Sequence, residues 1–183
     1  MKTLIQNPIH LFSLAVFMML NVCAFGQGSA LYLKVKGSKQ GEIKGDVTEK
    51  GKEGLIKTIS FQHEVVSPRD AASGLATGKR IHKPLVISKE IDKSSPLLMA
   101  ALSRGESLSE VTLSFYRPGK NPNTNELWYT IALKNAFISD IHSTWVSEKK
   151  QSLEEVSFTY EKIKWTITDG NVTFEDTWSD TGH

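Results

Sequence analysis

The chain has 183 residues, with 22 Lys and Arg against 20 Asp and Glu, one cysteine, and a hydrophobic fraction of 39%. That balance excludes a polybasic or acidic disordered chain and offers no basic track for a phosphate backbone, so no nucleic-acid partner is expected. One cysteine allows no internal disulfide, so stability must come from packing. A single domain of this size buries roughly 68–70% of the surface that its unfolded chain exposes.

The first residues read as a separate unit. Lys2 precedes an uncharged, largely apolar run from Leu11 to Val22, too short for a membrane span of ~20 residues. Small residues follow at Ala24 and Gly26. A basic start, a short apolar centre and small residues are the pattern of a secretory signal peptide, here residues 1–26, with cleavage after Gly26 preferred and after Ala24 second. Cys23 after Leu20-Asn21-Val22 offers a lipoprotein alternative, weakened because Val22 stands where a small residue is favoured. A buried core helix fits the position and flanks less well. Removing this segment takes away Lys2 and Cys23 and leaves 21 basic against 20 acidic residues. The product is an exported chain, periplasmic or extracellular, without thiol chemistry and without a membrane contact after cleavage.

The rest alternates like a β protein. Leu31, Leu33 and Val35 alternate with Tyr32, Lys34 and Lys36 in a first strand. Gly37 to Gly54 is rich in Gly, Lys and Glu and reads as an exposed loop with a short extended piece from Glu42 to Val47. Leu55 to Val66 reads as one long strand with Leu55, Ile59, Phe61, His63 and Val65 on one face. His63 is then a hydrogen-bonded core residue more readily than a ligand, because no second ligand stands at metal spacing. His82, His142 and His183 are scattered. Ser67 to Lys79, with Pro68, Gly74 and Gly78, is a loop of about a dozen residues, and loops of that length are often functional.

Ile81, Leu85, Ile87 and Ile91 put one face of the next strand inward. Pro84 places that strand at an edge or a bulge. Ser95-Pro96 reads as a helix start, with the Ser95 hydroxyl as cap. Leu97, Leu98, Ala101 and Leu102 form a stripe, Arg104 sits at the negative end of the dipole, and Gly105 is a left-handed stop. Ser109–Pro118 and Leu127–Leu133 form a hairpin across a turn at 119–125. A less regular strand runs from Phe137 to Val146, and another starts at Leu153. There the inward parity changes, from Val156, Phe158 and Tyr160 to Ile163, Trp165 and Ile167, which predicts a bulge or bend near Glu161-Lys162. Asp169-Gly170 is a hairpin turn, and Val172, Phe174 and Trp178 line the last strand.

Catalytic signatures fail on inspection. Gly45…Gly51-Lys52 and Gly74…Gly78-Lys79 have five and three residues between the glycines, where a phosphate loop needs four. Gly105-Glu106-Ser107-Leu108-Ser109 lacks the last glycine of a nucleophile elbow and follows a helix. Glu154 and Glu155 point to opposite faces of a strand and are no acid/base pair. Asn171-Val172-Thr173 is a chance sequon in a turn. Trp128, Trp145, Trp165 and Trp178 could line a sugar site but more often fill a core or an interface. No catalytic residue, metal or cofactor is expected. Short alternating strands and one helix predict a mostly β fold: a closed antiparallel β-barrel over 27–178, one short α-helix from about Pro96 to Arg104 packed against it, and a frayed tail at 179–183.

Several segments in order, His82-Lys83-Pro84, ISKEIDKSSP (Ile87 to Pro96) with its short helix, LSFYRP (Leu113 to Pro118), LWYTIALKNAFIS (Leu127 to Ser139) and EEVSFTYEKIKWT (Glu154 to Thr166), together resemble the haemolysin-coregulated protein (Hcp) family, the tube proteins of type VI secretion systems. The resemblance spans roughly Leu31 to Trp178. It implies a non-catalytic subunit that assembles as a homo-hexameric ring, with rings stacking into a tube whose lumen takes secreted effector proteins. It also implies that the extended loop, with Ser67, Pro68, Arg69, Asp70, Gly74, Leu75, Thr77, Gly78 and Lys79, reaches towards neighbouring rings. The amino-terminal segment departs from that family, since tube subunits are loaded from the cytoplasm. An exported, stand-alone barrel that binds a ligand is therefore the alternative. Sequencing the amino terminus of the native protein is expected to begin at Gln27; an intact Met1 would remove the signal-peptide reading.

Overall fold

The computed structural model describes residues 29–121, 124–147 and 151–178; the segments 1–26 and 179–183 lie outside them. The strands are β1 (Ala30–Gly37), β2 (Gly41–Ile43), β3 (Ile56–Thr58), β4 (Ser60–Gln62), β5 (Val65–Val66), β6 (Ile81–His82) and β7 (Leu85–Glu90). Helix α1 (Ser95–Ser103) follows. Then come β8 (Leu108–Pro118), β9 (Asn125–Lys134), β10 (Phe137–Val146), β11 (Gln151–Thr159), β12 (Lys162–Ile167) and β13 (Val172–Thr177), with a short 3-10 turn at Asp169–Asn171. The mostly β class with one short helix is as the sequence predicts.

Among the described residues, no one sheet closes into the single barrel that was expected. One sheet runs β13-β12-β9-β8-β1-β2 with β3 also on β1, a second runs β10-β11-β7-β4, and β5-β6 form a ribbon. No sheet among the described residues closes on itself. Instead, chain segments cross from one sheet to the other at two corners. The predicted long strand from Leu55 to Val66 breaks at Ile59: Ile56–Thr58 lie on β1, whereas Ser60–Gln62 lie on β7. The Ile59 N–H donates to the Ser88 carbonyl at 2.8 Å. The inward parity flips with the crossing, so Ile56 and Thr58 are buried and Ile59 is 52% exposed, not inward as expected. At the second corner β9 continues into β10 and β11 into β12, with β10 on β11 and β9 on β12. Tyr160 and Glu161 are the bend expected from the parity change, and Val156, Phe158, Tyr160 and Ile163 are all buried across it. Sheets that share strands at such corners enclose one core between them. Leu33, Val35, Ile43, Leu113, Ile131 and Leu133 belong to it from the first sheet, and Leu85, Ile87, Val156 and Phe158 from the second.

Three local expectations change. The 37–54 loop folds back rather than standing exposed: Ile43 and Lys52 are buried, and the Lys52 ammonium lies 4.2 Å from the Tyr116 ring centre and 2.6 Å from Glu49. Tyr32 donates to Glu49 at 2.7 Å, and burial together with that carboxylate pushes its phenol up to about 12. Ile81 and Ile91 are exposed at 48% each, because the chain breaks at Pro84 and leaves β7 after Glu90. On β13, which lies at the sheet edge, Val172 to Glu175 are exposed and Asp176 is buried, because only that end of the strand is covered, by Arg80 and His82.

Helix α1 starts one residue earlier than predicted, and its inward stripe is narrower: Leu98 and Ala101 are buried, whereas Leu97 is 39% exposed. The stop is as expected. Gly105 has φ +58°, its N–H donates to Leu102, and the Glu106 N–H donates to Ala101, a Schellman closure. The start is not. The Ser95 hydroxyl does not cap the helix; it accepts from the Asp92 N–H and donates to Glu154 at 2.7 Å. The reason is Lys89, which occupies the next inward position after Leu85 and Ile87 and is fully buried. Its ammonium lies 2.9 Å from Glu154, 2.9 Å from Asp92 and 2.9 Å from the Ser95 hydroxyl, and donates to the Glu90 carbonyl at 2.7 Å. Lys89 and Glu154 are direct cross-strand partners. Burial pushes the Asp92 carboxyl up, but hydrogen bonds from Ser94 and Lys89 outweigh it and hold the group below its ordinary value.

Removing one partner of a buried pair strands the other charge. Glu154→Ala is expected to cost about 3 kcal/mol in urea denaturation, the low end of the usual range because Asp92 remains. The double change Lys89→Met with Glu154→Leu is expected to recover most of that loss.

Candidate functional site: the 67–79 finger and its anchor

The loop predicted to be functional is a braced finger. Its base is the β5-β6 ribbon, with Val65 opposite His82 and Val66 opposite Ile81, and the Lys83 N–H donates to Glu64 at 3.0 Å. Further out the Thr77 N–H donates to Pro68, Arg69 bridges Ala76, and the Asp70 N–H donates to Leu75. Asp70 organises the tip. One carboxylate oxygen accepts from the Ser73 N–H at 2.7 Å, the Ser73 hydroxyl at 2.8 Å and the Ala72 N–H at 3.1 Å. The Ser73 and Ala72 donors hold its carboxyl below the ordinary value. Gly74 has φ +69°, a conformation that suits glycine, and its carbonyl accepts from Arg69 at 3.0 Å. The structure thus brings Pro68, Arg69, Asp70, Gly74, Leu75 and Thr77 together, while Ser67, Gly78 and Lys79 lie exposed in the two limbs. Leu75 stands 69% exposed at the tip.

The finger is fixed to the body by a cluster that sequence reading missed. Arg80, next to the ribbon, forms a two-pronged ion pair with Asp176 of β13. The His82 Nε2 lies 3.1 Å from Asp176, and its Nδ1 lies 3.0 Å from the Tyr160 hydroxyl at the corner. The His63 Nε2 lies 2.6 Å from the same hydroxyl. Trp178 stacks on His82 with ring centres 5.8 Å apart, and Trp165 lies 5.9 Å from His63. Hydrogen bonding to Arg80 keeps the Asp176 carboxyl below its ordinary value, so Asp176 is a carboxylate and can only accept. The donor directions follow for neutral imidazoles: His82 Nε2–H donates to Asp176, the Tyr160 O–H donates to His82 Nδ1, and His63 Nε2–H donates to the Tyr160 oxygen. Burial, with His82 beside it, holds the His63 imidazole below its ordinary value, and burial pushes the Tyr160 phenol up. His63 is thus a hydrogen-bonded residue at the edge of the core, as its parity led us to expect.

Other candidates from the sequence do not converge. Glu106, from the rejected elbow, is buried and accepts from the Lys39 and Gln40 N–H groups, which ties the loop after β1 to the end of α1. Glu155 is exposed, opposite in face to the buried Glu154. Trp165 and Trp178 flank the histidine cluster and lie against the core, Trp128 lines a separate groove with Phe115 and Tyr116, and Trp145 is 64% exposed on β10. Among the described residues no group of three or more His, Cys, Asp and Glu side chains could hold a metal ion.

The sequence model of the family described as "Type VI secretion system effector, Hcp" matches residues 32–167. The chain belongs to the Hcp family. It is 39% identical over 162 residues to the "Major exported protein" of Pseudomonas aeruginosa, covering 80% of this chain and 94% of that one. Among solved structures, an Hcp1 protein of E. coli is 32% identical with a TM-score of 0.75, the match covering 81% of this chain and 98% of that one. The secreted protein Hcp3 of Pseudomonas aeruginosa is 34% identical with a TM-score of 0.69, covering 84% and 100%. Hcp proteins are structural tube subunits of the type VI secretion system, so this Hcp is a structural protein and not an enzyme.

If Asp70 organises the tip, Asp70→Ala should abolish amide-exchange protection at Ala72 and Ser73 while leaving the urea midpoint unchanged. A shifted midpoint would instead make the finger part of the cooperative core.

Proposed function

We propose that residues 27–178 of this chain form a ring subunit that assembles as a homo-hexamer, and that rings stack head to tail into a tube through the 67–79 finger. The observation that carries this reading is the finger itself. It is exposed from Arg69 to Lys79, fixed at its base, braced along its length and tipped with an apolar side chain. Such an element contributes little to its own core. Because it is already ordered, it loses little conformational freedom when it meets a partner. A finger that docks on a different patch of the next copy is a heterologous contact, which extends rather than closes. Edge strand β13 supports lateral association. It exposes Val172 and Phe174 at 65% and 64%, and an unpaired sheet edge is a template for another chain.

The barrel expected from the sequence is kept as a reading of overall shape. Followed as continuous segments, β8, β1, β3 with β4, β7, β11 with β12, and β9 make an unbroken circuit of pairings. The lumen of the ring is proposed to take secreted effector proteins. Residues 1–26 are proposed as a signal peptide and 179–183 as a tail. Export is supported by the name of the Pseudomonas aeruginosa relative, "Major exported protein", and by the amino-terminal pattern. That same pattern favours a second reading, in which the exported subunit works outside the inner membrane as a free-standing ring or ligand-binding module.

Size-exclusion chromatography with light scattering and electron microscopy of residues 27–183 should show hexameric rings, stacked at high concentration. Leu75→Asp should leave the rings and stop the stacking. A protein that stays monomeric at high concentration, with no rings in the images, would overturn the proposal.

A further inference from the structure

We propose that the His63–Tyr160–His82–Asp176 chain is an acid-sensitive latch that seats the finger near neutral pH and frees it as the pH falls. The inference rests on the reading of the finger as the contact between stacked rings and concerns the regulation of that contact. The four groups come from four places: His63 from the link between β4 and β5, His82 from β6, Tyr160 from the corner between β11 and β12, and Asp176 from edge strand β13. Arg80 completes the charged groups of the cluster, the indoles of Trp165 and Trp178 close its sides, and Glu64 and Lys83, next to the histidines in the chain, are exposed.

This chain of hydrogen bonds accommodates one added proton and not two. One added proton can be placed on the chain without losing a bond, with the Asp176 carboxylate beside it and the bonds to Tyr160 reversed. His82 Nδ1–H then donates to the phenol oxygen, and the phenol O–H donates to His63 Nε2, which accepts in its other tautomer. A second proton, on His63, leaves both imidazoliums aiming N–H groups at one phenol oxygen and leaves the phenol O–H without its acceptor. The two like charges then stand with ring centres 6.4 Å apart. The seated His63 resists protonation, because burial and His82 hold its imidazole below the ordinary value. In the freed state it titrates at that ordinary value. The freed state therefore binds more protons. Seating is complete above the ordinary histidine range and is lost as the pH falls through it towards the lowered value, tenfold for each unit of difference.

Amide exchange of the mature protein, corrected for its intrinsic pH dependence, tests this at the Lys83 and Thr77 amides, which bond across the finger. Between about pH 7.5 and about pH 5.5 their opening is expected to rise roughly tenfold. His63→Gln keeps an N–H for Tyr160 and removes the titration, so its opening should stay flat. A flat wild type, or a variant as acid-dependent as the wild type, would overturn the latch. Should the variant not fold, the NMR titration of the wild-type His63 ring decides. A midpoint below the ordinary histidine value that coincides with the exchange change supports the latch, and a midpoint at or above that value refutes it. These measurements report on the subunit whether or not rings stack. Tubes that stay stacked while the finger amides open would refute the finger as the stacking contact and leave the latch standing.

Discussion

A strand shows alternate residues to opposite faces, so chain that passes from one sheet to another must change which residues it turns inward. The two corners of this molecule meet that requirement, and the rest of the fold depends on them. At the first, Ile59 goes outward so that Ile56 and Thr58 can face the core from one sheet and Phe61 can reach it from the other. At the second, the long hairpin made of β9 with β10 and β11 with β12 bends as a unit. The bend brings Tyr160 inward beside the His82 ring. The corner thus does two things. It holds the two sheets over one core, and it places the phenol that links the finger to the body.

The buried polar groups stand where register has to be fixed. Lys89 and Glu154 face each other across β7 and β11, and the same ammonium reaches Asp92 and Ser95 at the entry to α1. A slip of one residue between these strands would bury a lysine and a glutamate without each other, a cost of several kcal/mol per ion. A hydrophobic pair in the same place would cover the area as well but would tolerate the slip better. Glu106 acts alike at the other end of α1, where its carboxylate accepts from two backbone N–H groups of the loop after β1. The helix is therefore positioned less by its apolar stripe, which is narrow, than by charged hydrogen bonds at both ends.

This explains what was legible in the sequence. Strands whose neighbours lie within one sheet, β1, β8, β9 and β11, follow their alternation closely, and the glycine stop of α1 and the turn at Asp169-Gly170 follow from local backbone preference. The parity change at Glu161-Lys162 was readable because apolar residues stand on both sides of it. The change at Ile59 was not, since Ile59, Phe61 and Val65 keep one apolar parity while the chain changes sheets beneath them. The inward place of Lys89 looked polar because its partner lies 65 residues away. The finger was visible as a long loop with turn residues. Its anchor was not, because His63, His82, Tyr160 and Asp176 are brought together only by the corner and by the return of the last strand.

The anchor also accounts for the unusual burial along β13. An edge strand with apolar residues turned outward is poorly held by hydrophobic contact, and Val172 and Phe174 contribute little to the core. Asp176 compensates at the far end of the strand, where it takes an ion pair from Arg80 and a hydrogen bond from His82. The last strand and the finger base therefore hold each other through one carboxylate. Burial of His82 under Trp178 keeps that carboxylate from full hydration, which makes each hydrogen bond to it stronger than it would be in water. An event that disturbs the cluster must loosen both partners: the surface proposed to meet the next ring and the edge proposed to meet the neighbouring subunit. The two proposed assembly contacts share this one cluster within the subunit, although they lie on separate elements of the chain.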